Sequence, residues 1–157
     1  MHMQSKNSRR RDSIVSLPCL CATLRRLTRV VTQIYDDALR PDQLRVTQFT
    51  LLQVIEMRKE VTPSQLGELL GLDNTTLSRS LKPLEASGWV VSTLGDDRRA
   101  RSLKLTAAGN GLMRKVRPAW QKAQRRLQNQ LAQHGAAGLS STADRALIAI
   151  QGQKQVQ

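Results

Sequence analysis

The spacing of apolar positions predicts a first helix from about residue 17 to residue 39. Arg40-Pro41-Asp42 ends this helix, because proline cannot continue it. A second helix is predicted to start with Thr47 as its cap, flanked by apolar side chains. In the first helix, apolar residues recur at steps of three and four and therefore share one face: Leu20, Leu24, Leu27, Val31 and Ile34.

The strongest local signal in the chain is Thr62-Pro63-Ser64-Gln65. The side chains of Thr62 and Gln65 can each accept a hydrogen bond from the other's backbone amide, and proline suits the first helical position. This pattern predicts a short helix that stops at Gly71. A further helix capped by Asp73 should follow and end at Gly88. The inner face of this further helix carries three leucines: Leu77, Leu81 and Leu84.

Two short β-prone runs follow, at residues 89–93 and 102–105, with a polar turn between them. The pair predicts a hairpin. Thr106 should cap a long helix that is broken at residues 134–138, and residues 141–150 should form a last, shorter helix. Two short helices joined by a tight turn and followed by a hairpin form a winged helix-turn-helix. The fold class predicted is mainly α with a small β-wing.

The excess of basic residues indicates which kind of molecule this protein binds. The chain carries 25 Lys or Arg residues against 12 Asp or Glu residues, which gives a formal net charge of +13. From Arg98 onward there are 12 basic residues and one acid, Asp144. This excess predicts a polyanionic partner, nucleic acid first and an anionic membrane surface second. The alternative is an ordinary solvated surface, although such surfaces usually mix both signs.

Composition argues against several other classes of protein. The two cysteines, Cys19 and Cys21, are too few for a four-cysteine zinc module or a disulfide framework. No apolar run approaches the ~18 residues of a membrane span. We therefore expect a cytoplasmic protein without metal, cofactor or membrane contact. His2 and His134 cannot form a catalytic dyad, and no phosphate-binding loop or serine nucleophile elbow is present, so we expect no enzyme.

The outward face of the helix after Asp73 carries the residue types that read DNA in the major groove. Arginine can donate two hydrogen bonds to guanine, asparagine can form two with adenine, and hydroxyl groups can contact phosphate. The amide-rich N-terminus of the helix also attracts a phosphate. The alternative is a polar, solvated face without a partner. The candidate DNA-binding residues of this helix are Asn74, Thr75, Thr76, Ser78, Arg79 and Lys82.

The turn of the predicted hairpin supplies a second group of candidate DNA contacts. It carries Arg98, Arg99 and Arg101 close to Asp97. A narrow minor groove concentrates negative potential and accepts an inserted arginine. A neighbouring carboxylate can hold that guanidinium in an extended orientation by a bidentate contact. The alternative is a mobile surface loop whose charges cancel one another.

These motifs resemble the MarR family of bacterial transcriptional regulators. The resemblance rests on LGELLGLDNTTLSRSLKPLEASGWV and GDDRRARSLKLTAAG, and it covers roughly residues 17–151. The family's wing has Asp-x-Arg followed seven residues later by Thr, which here are Asp97, Arg99 and Thr106. The resemblance implies a homodimer whose first and last helices intertwine and whose two winged domains bind a pseudopalindromic DNA operator. It implies a repressor that an effector releases.

Four segments are expected on this basis. Residues 1–16 should form a disordered basic arm, and residues 17–46 an N-terminal dimerisation helix with its connection. Residues 47–106 should form the winged helix-turn-helix domain, and residues 107–157 the C-terminal dimerisation helices. Apolar faces on the first and last helices agree with dimerisation, because a small monomer could not cover them fully. Packing within one subunit is the alternative for these faces.

Cys19 and Cys21 are candidates for an effector site. In members of the family that sense organic hydroperoxides, a reactive cysteine sits early in the first helix, and Cys21 is similar in placement. Tyr35 lies fourteen residues further on but is the only tyrosine, so the additional tyrosines of those sensors are missing. Arg25 stands one turn after Cys21 instead and would favour its thiolate. A buried, inert cysteine is the alternative.

The effector is therefore expected to be an oxidant, a thiophilic agent or a small aromatic molecule. Two other functions remain open at this point. One is a constitutive architectural DNA-binding protein without an effector. The other is a non-DNA module, an enzyme or an interaction domain that reuses the fold, which would leave the basic wing unexplained.

Overall fold

The computed structural model describes residues 18–94 and 101–152. These residues form six α-helices and a two-stranded antiparallel sheet, in an order that confirms the predicted fold class. The described chain divides into two compact units, with the boundary between Ile34 and Tyr35. The elements in chain order are α1 (Leu20–Leu39), a 3-10 turn (Arg40–Asp42), α2 (Val46–Arg58), α3 (Pro63–Leu70), α4 (Asn74–Ala86), β1 (Val90–Leu94), β2 (Arg101–Leu105), α5 (Ala107–Gln133) and α6 (Leu139–Gly152).

The predicted helix caps at Thr62, Asp73 and Thr106 are present. The backbone amide of Gln65 donates to Thr62 Oγ1 at 3.2 Å, and Gln65 Oε1 accepts from the Thr62 amide at 3.0 Å. Thr106 Oγ1 accepts from the amide of Gly109 at 3.0 Å. Each cap satisfies amides that the first turn of a helix leaves without a partner. The local sequence therefore determines where three of the helices begin.

The predicted cap of α2 was wrong. The helix begins at Val46, one residue before Thr47, and the amide of Val46 donates to Asp36 Oδ1 at 2.7 Å. The amide of Arg45 donates to Gln48 Oε1 at 3.0 Å. A carboxylate ten residues earlier thus replaces the local threonine, because the turn between α1 and α2 brings Asp36 back to the start of α2.

The hairpin pairs Val90 with Leu105 and Leu94 with Arg101 at its two ends. A single-residue β-bridge to this hairpin was not predicted from the sequence. Val61 exchanges two backbone hydrogen bonds with Leu103, at 2.9 and 3.2 Å, so the residue before the Thr62 cap is joined to β2. This pairing attaches the hairpin to the start of α3.

One hydrophobic core lies beneath α2, α3, α4, β2 and α5. Gly109, at the start of α5, allows this helix to approach the turn before β1, because a Cβ there would lie 2.2 Å from the carbonyl oxygen of Trp89. Ion pairs between Lys115 and Asp42, at 2.6 Å, and between Arg117 and Glu56 fasten α5 to the elements at and before α2. The largest fully buried side chains of the core include Phe49, Leu52, Ile55, Leu66, Leu77, Leu84, Leu103, Met113 and Val116.

In the part of the chain that the structure describes, no helix combines the length and the apolar character needed to cross a membrane.

Candidate nucleic-acid interface

Helix α4 has one buried face and one exposed face. Leu77, Leu81 and Leu84 pack into the core, with Leu84 fully buried. All six residues that the sequence nominated for DNA contact on this helix are exposed: Asn74, Thr75, Thr76, Ser78, Arg79 and Lys82. The leucines therefore anchor the helix while its polar face stays accessible, which is the arrangement that a reading helix needs.

The N-terminus of α4 is capped by Asp73. Its Oδ1 accepts from the Thr76 amide at 2.9 Å, and its Oδ2 accepts from the Thr76 hydroxyl at 2.7 Å. The hydrogen bonds from Thr76, first from its hydroxyl and then from its amide, hold the pKa of Asp73 below its usual value. Thr76 is thus committed to the cap, whereas the neighbouring Thr75 and Ser78 remain better candidates for contacts with DNA.

The predicted wing residues divide into two groups. Asp97, Arg98 and Arg99 lie outside the described residues. Arg101 is described, at the first position of β2. Its Nη2 lies 2.7 Å from Glu85 Oε1, in the last turn of α4, and its Nε donates to the hydroxyl oxygen of Ser92 in β1. The Arg101 guanidinium therefore already has protein partners.

A second group of contacts holds β2 from its other side. Ser102, which is buried, donates to Glu60 Oε1 at 2.5 Å, and Lys104 Nζ lies 2.8 Å from Glu60 Oε2. The hydrogen bonds from Lys104 and then from Ser102 lower the pKa of Glu60. The β2 strand is thereby connected both to α4 and to the segment that precedes α3.

Glu85 was not among the functional residues predicted from the sequence, although its position along α4 could have indicated it. Asn74, Ser78, Lys82 and Glu85 follow one another at steps of four, four and three, so they share one stripe of α4. A carboxylate on a stripe that is expected to face a polyanion needs a cationic partner. The structure supplies Arg101 as that partner.

The candidate effector residues of the first helix are accessible. Both cysteines are exposed, Cys19 ahead of α1 and Cys21 in its first turn. The carbonyl oxygen of Cys19 accepts from the Thr23 amide at 3.1 Å, so Cys19 occupies the position that caps the helix. Cys21, Leu24 and Arg25 lie along one open side of α1. Cys21 and Arg25 thus lie on the same exposed side of α1.

Tyr35, the fourth candidate effector residue, takes part in an aromatic cluster. Its ring stacks on Trp120 of α5 with ring centroids 6.5 Å apart, and Trp120 stacks on Phe49 of α2 at 5.2 Å. The Tyr35 hydroxyl donates to Gln124, and burial raises the pKa of Tyr35. Packing and hydrogen bonding thus engage this side chain with α5.

No group of three or more His, Cys, Asp or Glu side chains within residues 18–94 and 101–152 is arranged to hold a metal ion.

Comparison with known proteins places these features in a family. A family model described as the MarR family matches residues 42–100, which run from the end of the 3-10 turn through β1 and stop before β2. The transcriptional regulator MosR of M. tuberculosis, solved in complex with DNA, is 34% identical; the match covers 82% of this chain and 98% of MosR, with a TM-score of 0.66.

Two structures of MarR from E. coli share the fold at lower identity. A mutant of MarR in complex with operator DNA is 24% identical, covers 82% of this chain and 93% of its own, and has a TM-score of 0.73. Wild-type MarR in its apo form is 23% identical, covers 84% and 99% of the two chains, and has a TM-score of 0.67. The chain described here belongs to the MarR family of winged-helix, DNA-binding transcriptional regulators.

Proposed function

We propose that this protein is a homodimeric repressor that acts in the cytoplasm, binds a pseudopalindromic DNA operator and is released by an effector. The observation that carries the DNA-binding part is the division of α4 into a face of buried leucines and a face of exposed polar and basic residues. Asp73 caps the start of this helix, and the hairpin that follows is fastened to its end by Arg101. This arrangement supports a role for α4 as the helix that reads DNA, the recognition helix, with the hairpin beside it as a wing.

Within this proposal, each contact type has its own role. Arg79 is placed to read a guanine, Asn74 an adenine, and Lys82 to contact a phosphate. Thr75 and Ser78 add hydroxyl groups along the same helix. The wing residues Asp97, Arg98 and Arg99 are proposed to enter the minor groove, with the carboxylate orienting a guanidinium.

The homodimer is supported by apolar side chains that stay exposed on the first and last helices. On α1, Leu20 and Val30 are 71% and 56% exposed, and on α6, Ile148 and Ile150 are 70% and 60% exposed. Exposed apolar side chains in this number on two helices are typical of surfaces that a partner covers. Two copies of the chain would bring two reading helices to the two halves of a palindromic site.

A thiol-directed effector is favoured by the exposure of both cysteines. An oxidant could convert the Cys21 thiol to a sulfenic acid. This acid would condense with the thiol of Cys19 or of the second subunit to form a disulfide and water. The added covalent link or volume would perturb a packed dimer surface and change the separation of the two reading helices. A small aromatic ligand is the second candidate effector.

The DNA-binding part is tested by an equilibrium anisotropy titration at increasing salt. The probe is a 30-base-pair duplex that the wild-type protein selects from a random library. A dimer that makes about 8 phosphate contacts should lose on the order of 10⁴ in affinity between about 50 and 200 mM salt, because each contact releases counterions. Affinity that does not change with salt would contradict the proposal.

The effector part is tested on the same duplex with and without peroxide or a trivalent arsenical. Cys21→Ser should bind DNA like the wild type, but it should remain bound to the duplex when oxidant is added. The Cys19→Ser variant shows whether a second thiol is required for the release of DNA. If wild-type protein retains DNA under oxidant but a phenolic carboxylate releases it, the cysteines are not the sensor and the effector is a small aromatic molecule.

A further inference from the structure

The side chain of Arg101 joins three elements at the base of the hairpin. It starts β2, its Nη2 lies 2.7 Å from Glu85 Oε1 in the last turn of α4, and its Nε donates to Ser92 Oγ in β1. Both bonds use the planar fork of one guanidinium, so they fix its direction as well as its position. The hairpin and the helix are therefore connected by a geometry that only an arginine supplies.

The alternation of side chains along β2 explains why Arg101 faces α4. Residues two apart in a strand point to the same side, so Arg101 shares a face with Leu103. Leu103 is fully buried in the core. Ser102 and Lys104 share the opposite face, where both contact Glu60. Arg101 thus lies on the same side of the strand as Leu103, although its own side chain is 58% exposed.

Glu85 gives this contact a consequence for DNA binding. It shares a stripe of α4 with Asn74, Ser78 and Lys82, so an uncompensated carboxylate there would repel phosphate. Arg101 offsets the charge of the carboxylate, and two of its own donors, Nη2 and Nε, are engaged by Glu85 and Ser92. An arginine held in this way is poorly placed to act as an independent phosphate contact.

We propose that Arg101 is a positioning residue that clamps the base of the hairpin to α4, so that the reading helix and the wing meet DNA in one fixed relative orientation. This inference rests on the proposed DNA-binding function. It replaces the role that the sequence suggested for Arg101, a direct contact with DNA. Glu85 and Ser92 become the two partners through which Arg101 acts.

Two substitutions test the clamp without changing the net charge. Arg101→Lys keeps the positive charge but loses the fork, and Ser92→Ala removes the acceptor of the Nε bond. The matched control is Ser87→Ala, an exposed serine in the turn directly after α4. Anisotropy titrations use two 30-base-pair duplexes, one selected by the wild type from a random library and one of scrambled sequence. Thermal melting confirms that each variant is folded at the temperature of the titration.

We expect Arg101→Lys and Ser92→Ala to bind the selected duplex about 2- to 5-fold more weakly per subunit, the range expected for an exposed charged pair. Their affinity for the scrambled duplex and their dependence on salt should match the wild type, because the number of phosphate contacts is unchanged. The double variant should be no weaker than the weaker single variant, since both substitutions break the same clamp. Ser87→Ala should behave as wild type.

Two results would overturn the clamp. One is Arg101→Lys with wild-type affinity and Ser92→Ala indistinguishable from Ser87→Ala, because a lysine would then suffice as a simple cation. The other is equal weakening on both duplexes, which indicates a phosphate contact. If the wild-type protein itself binds neither duplex, the proposed function fails instead, so the two failures are distinguishable.

Discussion

Helices α1 and α4 show the same periodic pattern of leucines, yet the chain uses them differently. In α4, Leu77, Leu81 and Leu84 are buried in the core. In α1, Leu20 and Leu24 remain 71% and 49% exposed, and Leu39 is the one fully buried residue of the helix. Helical periodicity thus identifies an apolar face in both cases, but it does not say which surface will cover that face.

The apolar faces of α4 and α1 therefore differ in what covers them. The residues around α4 complete their own core and leave a polar face for a ligand. Apolar side chains of α1 and of α6 are exposed, and we propose that a second copy of the chain covers them. Substitutions in the two regions should therefore fail in different ways, one by loss of folding and the other by loss of assembly.

The largest effect is expected from Leu24→Asp. A carboxylate on the apolar face of α1 should separate the subunits, because an unpaired charge is costly to bury in a dimer interface. Loss of the second reading helix should lower the affinity for a two-half-site duplex by about 10² or more. Analytical ultracentrifugation and anisotropy measure the two changes.

The control for this substitution is Leu69→Asp in α3, since Leu69 and Leu24 are both 49% exposed. This control should remain dimeric. A Leu24→Asp variant that sediments as a dimer would show that this face of α1 is not the interface, and the contrast between α1 and α4 would need another explanation.

Leu84→Ala should produce the next largest effect, on folding. Leu84 is fully buried, so truncation loses transfer free energy and leaves a cavity, together about 2–5 kcal/mol in the free energy of unfolding. Urea denaturation measures the loss. Leu69→Ala, at a half-exposed leucine, should cost clearly less, and equal losses at both positions would contradict the burial assigned to α4.

Arg79→Ala should weaken binding to the selected duplex by about 1–3 kcal/mol and relax the preference for its sequence, because a base contact is lost. Competition between duplexes that differ at single base pairs measures the preference. Arg114→Ala removes the same charge from an exposed position of α5 and serves as the control. Uniform weakening on all sequences would instead identify Arg79 as a phosphate contact.

The smallest effect concerns the cap of α4. Hydrogen bonds from Thr76 hold the pKa of Asp73 below its ordinary value of 3.8. The ionised carboxylate therefore stabilises the fold above that pH, and this contribution is lost as the pH falls through the lowered pKa. Asn also caps helices but does not titrate. The stability advantage of wild type over Asp73→Asn should shrink between about pH 5 and pH 3 in urea titrations; an advantage that grows toward acid would contradict the assignment.

Much of the fold could be predicted because its signals are local. Thr62 with Gln65, Asp73, and Thr106 each satisfy amides within three residues of themselves, so the caps are readable as short motifs. The buried leucines of α4 and the exposure of its polar face follow from helical periodicity in the same way. The nominated residues Asn74, Ser78 and Arg79 are exposed in the structure for this reason.

Features that depend on distant residues could not be predicted. Asp36 caps α2 from ten residues away, Val61 pairs with Leu103, and Tyr35 stacks on Trp120. None of these pairs has a fixed spacing that a sequence pattern could reveal, because each depends on how the connecting segments fold back.

The sequence by itself therefore determined the order of the helices, the hairpin and the polar face of α4, since each depends on neighbours along the chain. Only the tertiary structure decided what Arg101 contacts. In the sequence, this residue is one more arginine of a basic wing; in the fold, it lies 2.7 Å from Glu85, sixteen residues earlier in the chain. The physical reason is that charge pairing acts through space, and the register of β2 against β1 sets which side chains lie near the end of α4.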